Sequence, residues 1–209
     1  QFDPLNRLNI LDWYMSSLLN DIFTNEPINF LKNGRSSFFM PGLVNYKIVN
    51  TDAQGSLDFI GLNYYSRFHV KGKLNLSEPF IFKTRKKDIQ TDMNYPIYPE
   101  GIYKALKTIN ELNVPIYITE NGIADSSDTN RGIFINQYLY STNKALREGV
   151  DVKGYFYWSL MDNFEWANGY SMKFGLYEVD FKTQERQLRE GSKSLIDIIK
   201  RSKNKIEIK

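Results

Sequence analysis

The chain has 209 residues, of which 42% are hydrophobic and 24% are charged, a balance typical of a globular protein with one well-cored domain. Its formal net charge of +3 is too small to predict binding to nucleic acid or to an acidic membrane surface. The sequence contains no cysteine, which excludes disulfides and thiolate metal sites, and it has no apolar run long enough to cross a membrane. These features favour a cytoplasmic protein.

The apolar residues follow an alternation of helices and strands. Residues 11–22 have helical spacing, and residues 58–65 are predicted to form a short buried strand. Residues 71–97 have mixed charge and no clear period, so we expect a long loop there. The remaining predicted elements are helix 100–112, strand 115–119, helix 131–148, strand 152–160 and helix 189–201. This order is typical of a parallel α/β sheet, and no repeat or linker divides residues 1–209.

Each of the three predicted strands ends in polar and aromatic residues: FIGLNYY, IYITENG and YFYWSLMDNFEW. The carboxyl ends of parallel strands converge on the ligand site in α/β folds. Glu120 ends the second strand, directly before an Asn-Gly turn, and Glu165 follows the third strand between two aromatic residues. A carboxylate in such a setting indicates a role in binding or catalysis.

Five segments resemble, in the same order along the chain, the signatures of glycoside hydrolase family 1. IYITENGIA at 116–124 looks like the family's nucleophile motif, and LDFIGLNYYSR at 57–67 is similar to its sixth strand. PIYPEGIYKAL at 96–106 is similar to the segment leading into the seventh strand. WSLMDNFEW at 158–166 and GYSMKFGLYEVDF at 169–181 look like the last strand and the sugar-binding loop.

The resemblance is clearest over residues 57–181 and closest to the archaeal β-glycosidases. It implies an α/β fold that is the C-terminal portion of a (β/α)8 barrel, strands 6 to 8 with their helices. Such a portion is incomplete on its own, so residues 1–209 are expected to form a single partial barrel domain.

The resemblance also implies roles for individual residues. Glu120 would attack the anomeric carbon and form a covalent glycosyl-enzyme, as in retaining glycosidases, and Tyr65 would donate its hydroxyl to Glu120. The sugar would be bound by Asn63 beside Glu120, by Trp158 as a platform, by Glu165 and Trp166 through hydrogen bonds, and by Phe174 on the far wall. Relatives that cleave 6-phosphorylated sugars have Ser in place of Glu165, so the carboxylate implies neutral β-glucosides, β-galactosides or β-fucosides.

The second carboxyl group of a retaining glycosidase is not assigned in this chain. In the family, the acid/base glutamate lies in an Asn-Glu-Pro motif that ends the fourth strand. The chain contains Asn25-Glu26-Pro27, but an amphipathic helical segment precedes it, and Glu26 is too close to Glu120 in sequence for the intervening strands. We therefore expect the acid/base to belong to an N-terminal half that this chain lacks, and the isolated chain to be inactive.

Two functions follow from these features. The first is part of a retaining exo-β-glycosidase that acts on a small β-glycoside or oligosaccharide, requires no metal or organic cofactor, and depends on an N-terminal half of the same barrel. The second is a catalytically inactive fragment or sugar-binding module that needs a partner chain. His69, the only histidine, has no second histidine or cysteine near it in sequence, so we expect it to have no catalytic or metal-binding role.

Overall fold

A computed structural model describes residues 1–40, 44–75 and 77–206 of the chain. Its helices are α1 (Ile10–Asn20), α2 (Glu26–Asn33), α3 (Pro99–Ile109), α4 (Arg131–Arg147) and α5 (Lys193–Ile206). Its strands are β1 (Phe2–Pro4), β2 (Arg35–Met40), β3 (Val44–Val49), β4 (Ile60–Asn63), β5 (Phe68–Gly72), β6 (Phe80–Lys83), β7 (Ile116–Asn121), β8 (Val152–Tyr157), β9 (Tyr177–Val179) and β10 (Arg186–Leu188).

A parallel sheet of three strands, in the order β4-β7-β8, organises the fold. The apolar sides of α3 and α4 cover one face of this sheet, where Ile116 and Ile118 of β7 are fully buried. Leu195 and Ile198 of α5 pack against the same core. The predicted parallel α/β sheet is confirmed. The apolar residues that recur every 3.6 positions in the helices pack against the apolar residues of the strands, and together they form one core.

The opposite face of this sheet is open. Gly61 and Asn63 of β4 and Thr119 of β7 are exposed there, and Phe156 of β8 has 58% of its surface exposed. Phe59, just before β4, is 56% exposed and stacks edge-on against Tyr117 at 5.5 Å. Exposed aromatic rings on this open face are unusual, since parallel sheets are normally covered on both faces.

The predicted loop at 71–97 is wrong in its first half. β5 extends to Gly72 and pairs with β6 in an antiparallel hairpin, while β1 joins the other edge of β5 in parallel. Rings of Phe68 and Phe82 lie 5.0 Å apart across this small sheet, and Phe2 stacks on both at 5.9 Å. The four residues of β6 are too short a run for an apolar period to be visible in the sequence.

The ends of several predicted elements also differ from the structure. β4 and β8 stop at Asn63 and Tyr157, short of the predicted 65 and 160, because the chain leaves the sheet where its side chains turn polar. α5 begins at Lys193 and not at 189, since Arg189 is extended and residues 190–192 form a single tight turn. The hairpins β2–β3 and β9–β10 were not predicted. Among the described residues, no helix combines the length and apolarity needed to cross a membrane.

Candidate active site

Glu120 lies at the carboxyl end of the central strand β7. Its backbone carbonyl accepts a hydrogen bond of 2.9 Å from the backbone N–H of Tyr64, and Asn63 of β4 is its neighbour across the sheet. The side chain is half-buried, and its Oε2 accepts a hydrogen bond of 2.8 Å from the hydroxyl of Tyr65. The two strands therefore place a carboxylate and a phenol in direct contact.

The hydroxyl of Tyr65 remains protonated over the ordinary pH range. Burial raises the pKa of Tyr65 strongly, and its hydrogen bond to Glu120 together with the charges of Glu120 and Glu165 raises it further. The ring of Tyr65 also stacks edge-on against Phe174 at 6.0 Å, and Phe174 is only 4% exposed. Tyr65 is thus a fixed hydrogen-bond donor, and the structure brings it together with Glu120 and Phe174.

Asn63 contacts the strand beside it through its side chain. Its Oδ1 accepts a hydrogen bond of 2.6 Å from the hydroxyl of Thr119, which leaves the amide nitrogen on the exposed face of the sheet. The neighbouring Asn121 is completely buried; its Nδ2 donates to the carbonyl of Tyr64 at 2.6 Å and its Oδ1 accepts from the Tyr155 hydroxyl at 2.7 Å. Asn121 therefore ties together the three strands that carry the site.

Trp158 follows β8 and is held next to the Glu120 strand. Its backbone N–H donates to the carbonyl of Asn121 at 2.9 Å, and its side chain is half-buried. A Cβ atom on Gly122 would come within 1.7 Å of the Trp158 carbonyl oxygen. Only glycine allows this approach, so the Asn-Gly turn after Glu120 sets the position of Trp158.

Glu165 and Trp166 lie on the loop between β8 and β9. The backbone N–H of Glu165 donates to the carbonyl of Gly169 at 2.6 Å, which closes a tight turn. Trp166 has a φ of 44° and is 84% exposed, so its indole faces open space beside the half-buried Glu165. The charge of Glu165 contributes to the raised pKa of Tyr65, after burial and the effects of Glu120.

A buried arginine connects the loops that carry these residues. Arg131, at the start of α4, is fully buried, and its guanidinium pairs with Asp128 at 2.8 Å. It donates to the carbonyl oxygens of Ile123, Asp125, Lys173 and Phe174 and to the hydroxyl of Tyr157, at distances between 2.8 and 3.2 Å. The segment after β7 and the segment around Phe174 are thus held by one side chain.

A second buried ion pair holds the loop around Glu165. Asp162 accepts a hydrogen bond of 2.9 Å from the N–H of Gly175 and pairs with Arg189 at 3.0 Å. Sequence reasoning missed both this pair and Arg131. Asp162 lies inside the WSLMDNFEW motif, which was the one available signal; nothing local distinguishes Arg131 from a surface arginine.

Two other residues considered in the sequence lie elsewhere. Glu26 is the first residue of α2, and its Oε2 accepts hydrogen bonds from the Ser36 hydroxyl at 2.7 Å and the Ser37 N–H at 2.8 Å. His69 is buried in β5, with its Nε2 2.8 Å from Asp88. No group of three or more His, Asp or Glu side chains is arranged as a metal site in the part of the chain that the structure describes.

The geometry suits chemistry at an electrophilic carbon. A half-buried carboxylate that receives one hydrogen bond is held in one orientation and keeps free lone pairs for attack. The Tyr65 phenol remains a donor, and Glu165 supplies a second carboxylate that can accept hydrogen bonds from hydroxyl groups of a ligand. Aromatic rings at Trp158, Trp166 and Phe174 offer apolar surface around these polar groups.

Comparison with known proteins assigns the chain to a family. The sequence profile of glycosyl hydrolase family 1 matches residues 12–204. A beta-galactosidase of Pyrococcus woesei is 44% identical over 155 residues, which cover 66% of this chain and 30% of that protein. Beta-glucosidase A of Thermotoga maritima is 41% identical over 167 residues, which cover 75% of this chain and 37% of that protein.

Solved structures give the same result. The beta-glycosidase of Pyrococcus horikoshii superimposes with a TM-score of 0.77 and 36% identity, over 91% of this chain and 44% of that one. The family 1 glucosidase of T. maritima superimposes with a TM-score of 0.81 and 32% identity, over 96% of this chain and 49% of that one. Both are (β/α)8 barrels. The chain spans about a third of the length of the curated relatives it matches.

Proposed function

The chain belongs to glycosyl hydrolase family 1, and on this premise we propose that it contributes the nucleophile, Glu120, to a retaining exo-β-glycosidase. The observation that carries the proposal is the hydrogen bond of 2.8 Å from Tyr65 to Glu120 at the carboxyl end of a parallel sheet, where barrel enzymes hold their catalytic groups. We assign β4, β7 and β8 to strands 6, 7 and 8 of the barrel, within a single partial domain of residues 1–209.

In the proposed reaction, a carboxylate oxygen of Glu120 forms a bond to the anomeric carbon as the bond to the leaving oxygen breaks. An acid protonates that oxygen as it departs. The same group, now a base, takes a proton from water, which attacks the anomeric carbon and releases Glu120. Tyr65 keeps the attacking carboxylate oriented, and its own hydroxyl does not transfer a proton.

We propose that the acid/base glutamate lies on an N-terminal half of the same barrel, supplied outside this chain. The exposed face of the sheet supports this, because Phe59 and Phe156 lie where a closed barrel packs its interior. Glu26 does not fill the role, since it is the first residue of α2 and binds Ser36 and Ser37.

The substrate proposed is a small β-glycoside or oligosaccharide with an unphosphorylated terminal sugar. Glu165 is half-buried near the Tyr65–Glu120 pair, and a carboxylate there would repel a phosphate while accepting hydrogen bonds from sugar hydroxyls. The T. maritima enzyme has been solved with castanospermine and with galacto-hydroximolactam, both sugar-like molecules, which supports a glycoside-sized ligand.

The test is hydrolysis of an aryl β-glucoside by the chain mixed with a separately expressed N-terminal half from a relative. We expect release of the aryl group from the mixture but not from either part alone, with NMR showing β-glucose as the first product. An α-configured first product would overturn the retaining mechanism, and release by the chain alone would overturn the assignment of the acid/base to the missing half.

The second candidate is a sugar-binding module without catalysis, which depends on a partner chain. The exposed Trp166 and the half-buried Glu165 favour it, because an open aromatic surface beside a hydrogen-bond acceptor binds sugars without any acid/base. Calorimetric titration of a neutral β-glucoside into the chain, with binding but no turnover even after the N-terminal half is added, would identify this function.

A further inference from the structure

A pocket of about 470 Å³ lies between the segment after β1 and the segment around Arg85 that follows β6. It is lined by Leu5, Asn6, Arg7, Arg67, Arg85 and Lys87. Four of these six residues are cationic and none is acidic. Gathering like charges around one cavity is unfavourable. Among the described residues, carboxylates lie within 4.0 Å of Arg67 only, namely Asp3 and Asp88, so the charge of the other three cations favours an anionic ligand.

Arg67 forms a rigid part of this lining. Its Nη1 pairs with Asp3 at 3.0 Å, and its guanidinium carbon lies 3.8 Å from the centre of the Tyr98 ring. Its Nε is buried and has no hydrogen-bond partner among the described residues. A buried guanidinium N–H without a partner is costly. Nη2 of Arg67 lies 3.7 Å from Asp88, beyond hydrogen-bond distance, and is the donor that an incoming oxyanion can use.

Arg85 is held in place without being neutralised. Its Nε and Nη2 donate to the backbone carbonyls of Pro4 and Leu5 at 2.6 to 3.2 Å. Carbonyl groups fix the guanidinium but carry no net charge, and no carboxylate of the described residues lies within 4.0 Å of it. The positive charge of Arg85 is therefore available to the pocket.

Arg7 and Lys87 complete the pocket from its rim. Both side chains are exposed, and neither forms an ion pair within the described part of the chain. Long cationic side chains of this kind can close over a bound anion. The pocket thus has two fixed guanidinium groups and two adjustable cations.

The charges of Arg67 and Arg85 also act on the buried His69. Burial is the main reason that the pKa of His69 is lowered, and the charges of Arg85 and Arg67 lower it further even though Asp88 lies 2.8 Å from its Nε2. The nearby carboxylates Asp3 and Asp88 contact Arg67 and His69 but do not line the pocket.

We propose that this pocket binds a phosphate group, with Arg67 and Arg85 as its fixed donors and Arg7 and Lys87 as the side chains that close over it. Guanidinium groups match a tetrahedral oxyanion through paired N–H donors, and lysine adds a mobile charge. The residues that line this pocket include none of those around Glu120, so the phosphate is bound apart from the sugar contacts proposed for Glu165. The inference is independent of the proposed glycosidase function.

The test is calorimetric titration of the 209-residue chain with inorganic phosphate and, separately, with glycerol phosphate, at constant ionic strength because screening weakens charged contacts. We expect saturable binding of at least one of them. Arg7→Gln combined with Lys87→Gln should weaken it at least tenfold, since each charge-assisted hydrogen bond is worth roughly that factor. Both residues are exposed, so the variant should fold normally by circular dichroism.

The matched control is Lys83→Gln combined with Lys86→Gln, which removes the same charge from exposed residues of the same segment that do not line the pocket. It should bind as the unaltered chain does. Binding of inorganic phosphate alone assigns a free ion, and tighter binding of glycerol phosphate assigns a phosphate monoester. The proposal is overturned if neither ligand binds, or if the two double variants weaken binding equally.

Discussion

The hydroxyl of Tyr65 donates a hydrogen bond of 2.8 Å to Oε2 of Glu120, although Tyr65 lies two residues after the end of β4 and Glu120 belongs to β7. The pairing of β4 with β7 brings them together. The backbone N–H of Tyr64, the residue before Tyr65, donates a hydrogen bond to the backbone carbonyl of Glu120. Tyr65 is held from its other side by Phe174. The contact is therefore built by the sheet and not by a mobile loop, as a preorganised site requires.

Tyr65→Phe tests the contribution of this hydrogen bond. We expect the rate at which Glu120 reacts with an activated glycoside to fall by about tenfold to a hundredfold, since one preorganised donor is lost. The matched control is Tyr103→Phe, which removes a hydrogen bond of 2.6 Å to Glu148 on the helical surface. An equal loss of rate in both variants would show that the Tyr65 hydroxyl has no specific role.

Glu165→Ser tests the proposed preference for neutral sugars. Removing the carboxylate should improve binding of a 6-phosphorylated glucoside relative to its neutral counterpart by at least about tenfold, because repulsion between two anions in a partly buried site is lost. Competition binding measured by calorimetry would give the ratio. Glu178→Ser, an exposed change on β9, should leave the ratio unaltered, and an unchanged ratio in Glu165→Ser would contradict the proposal.

Arg131→Met tests the buried connection between the two loops. The change leaves Asp128 and several carbonyl oxygens without their donor, and we expect the free energy of unfolding to fall by about 3–5 kcal/mol in urea denaturation. Arg131→Lys should recover part of this loss. Arg147→Met, at the exposed end of the same helix, should change stability by less than about 0.5 kcal/mol; similar losses in the Arg131 and Arg147 variants would refute the role.

His69 should make the stability of the chain depend on pH. Burial lowers its pKa in the folded state, so both states carry neutral His69 above the unfolded pKa of about 6.5. As the pH falls below that value the unfolded chain binds a proton first, and stability decreases by at most about 1.4 kcal/mol per pH unit until the folded pKa is reached.

His69→Gln isolates this effect, since Gln keeps a donor for Asp88 but does not titrate. The groups that face His69 are Asp88, Arg67 and Arg85, and they remain in the variant. Between about pH 7.5 and about pH 5.5, the unaltered chain should lose more unfolding free energy in urea denaturation than the variant does. Parallel pH profiles would show that His69 titrates normally in the folded chain.

The sequence predicted the parallel sheet and its helices because their periods are long enough to be visible. The apolar residues on one side of α4 and the apolar run of β7 each extend over enough residues to show a clear pattern. The bounds of both elements were predicted to within two residues. The short β6 hairpin was missed, since its pairing with β5 depends on rings of Phe2 and Phe68 that are distant in sequence. Local patterns carry no information about such partners.

The contact between Tyr65 and Glu120 was expected from the family resemblance, and composition or periodicity would not have given it. The buried polar groups behind the site could not be anticipated from either source. Arg131 is a fully buried cation, and a single arginine at a helix start is most often a surface residue. Its role depends on four carbonyl oxygens contributed by two other segments, 123–125 and 173–174, which only the folded chain brings together.

Intact-mass measurement after incubation with a 2-deoxy-2-fluoro glucoside that has a good leaving group tests the central claim most directly, since it traps the covalent intermediate. The chain is mixed with an N-terminal half from a relative, and Glu120→Gln is treated in the same way. The account predicts a mass gain of one fluoroglucosyl group, located on Glu120 by peptide mapping and missing in the Gln variant. A gain on another residue, or no gain in a mixture that hydrolyses aryl glucosides, would contradict Glu120 as the nucleophile.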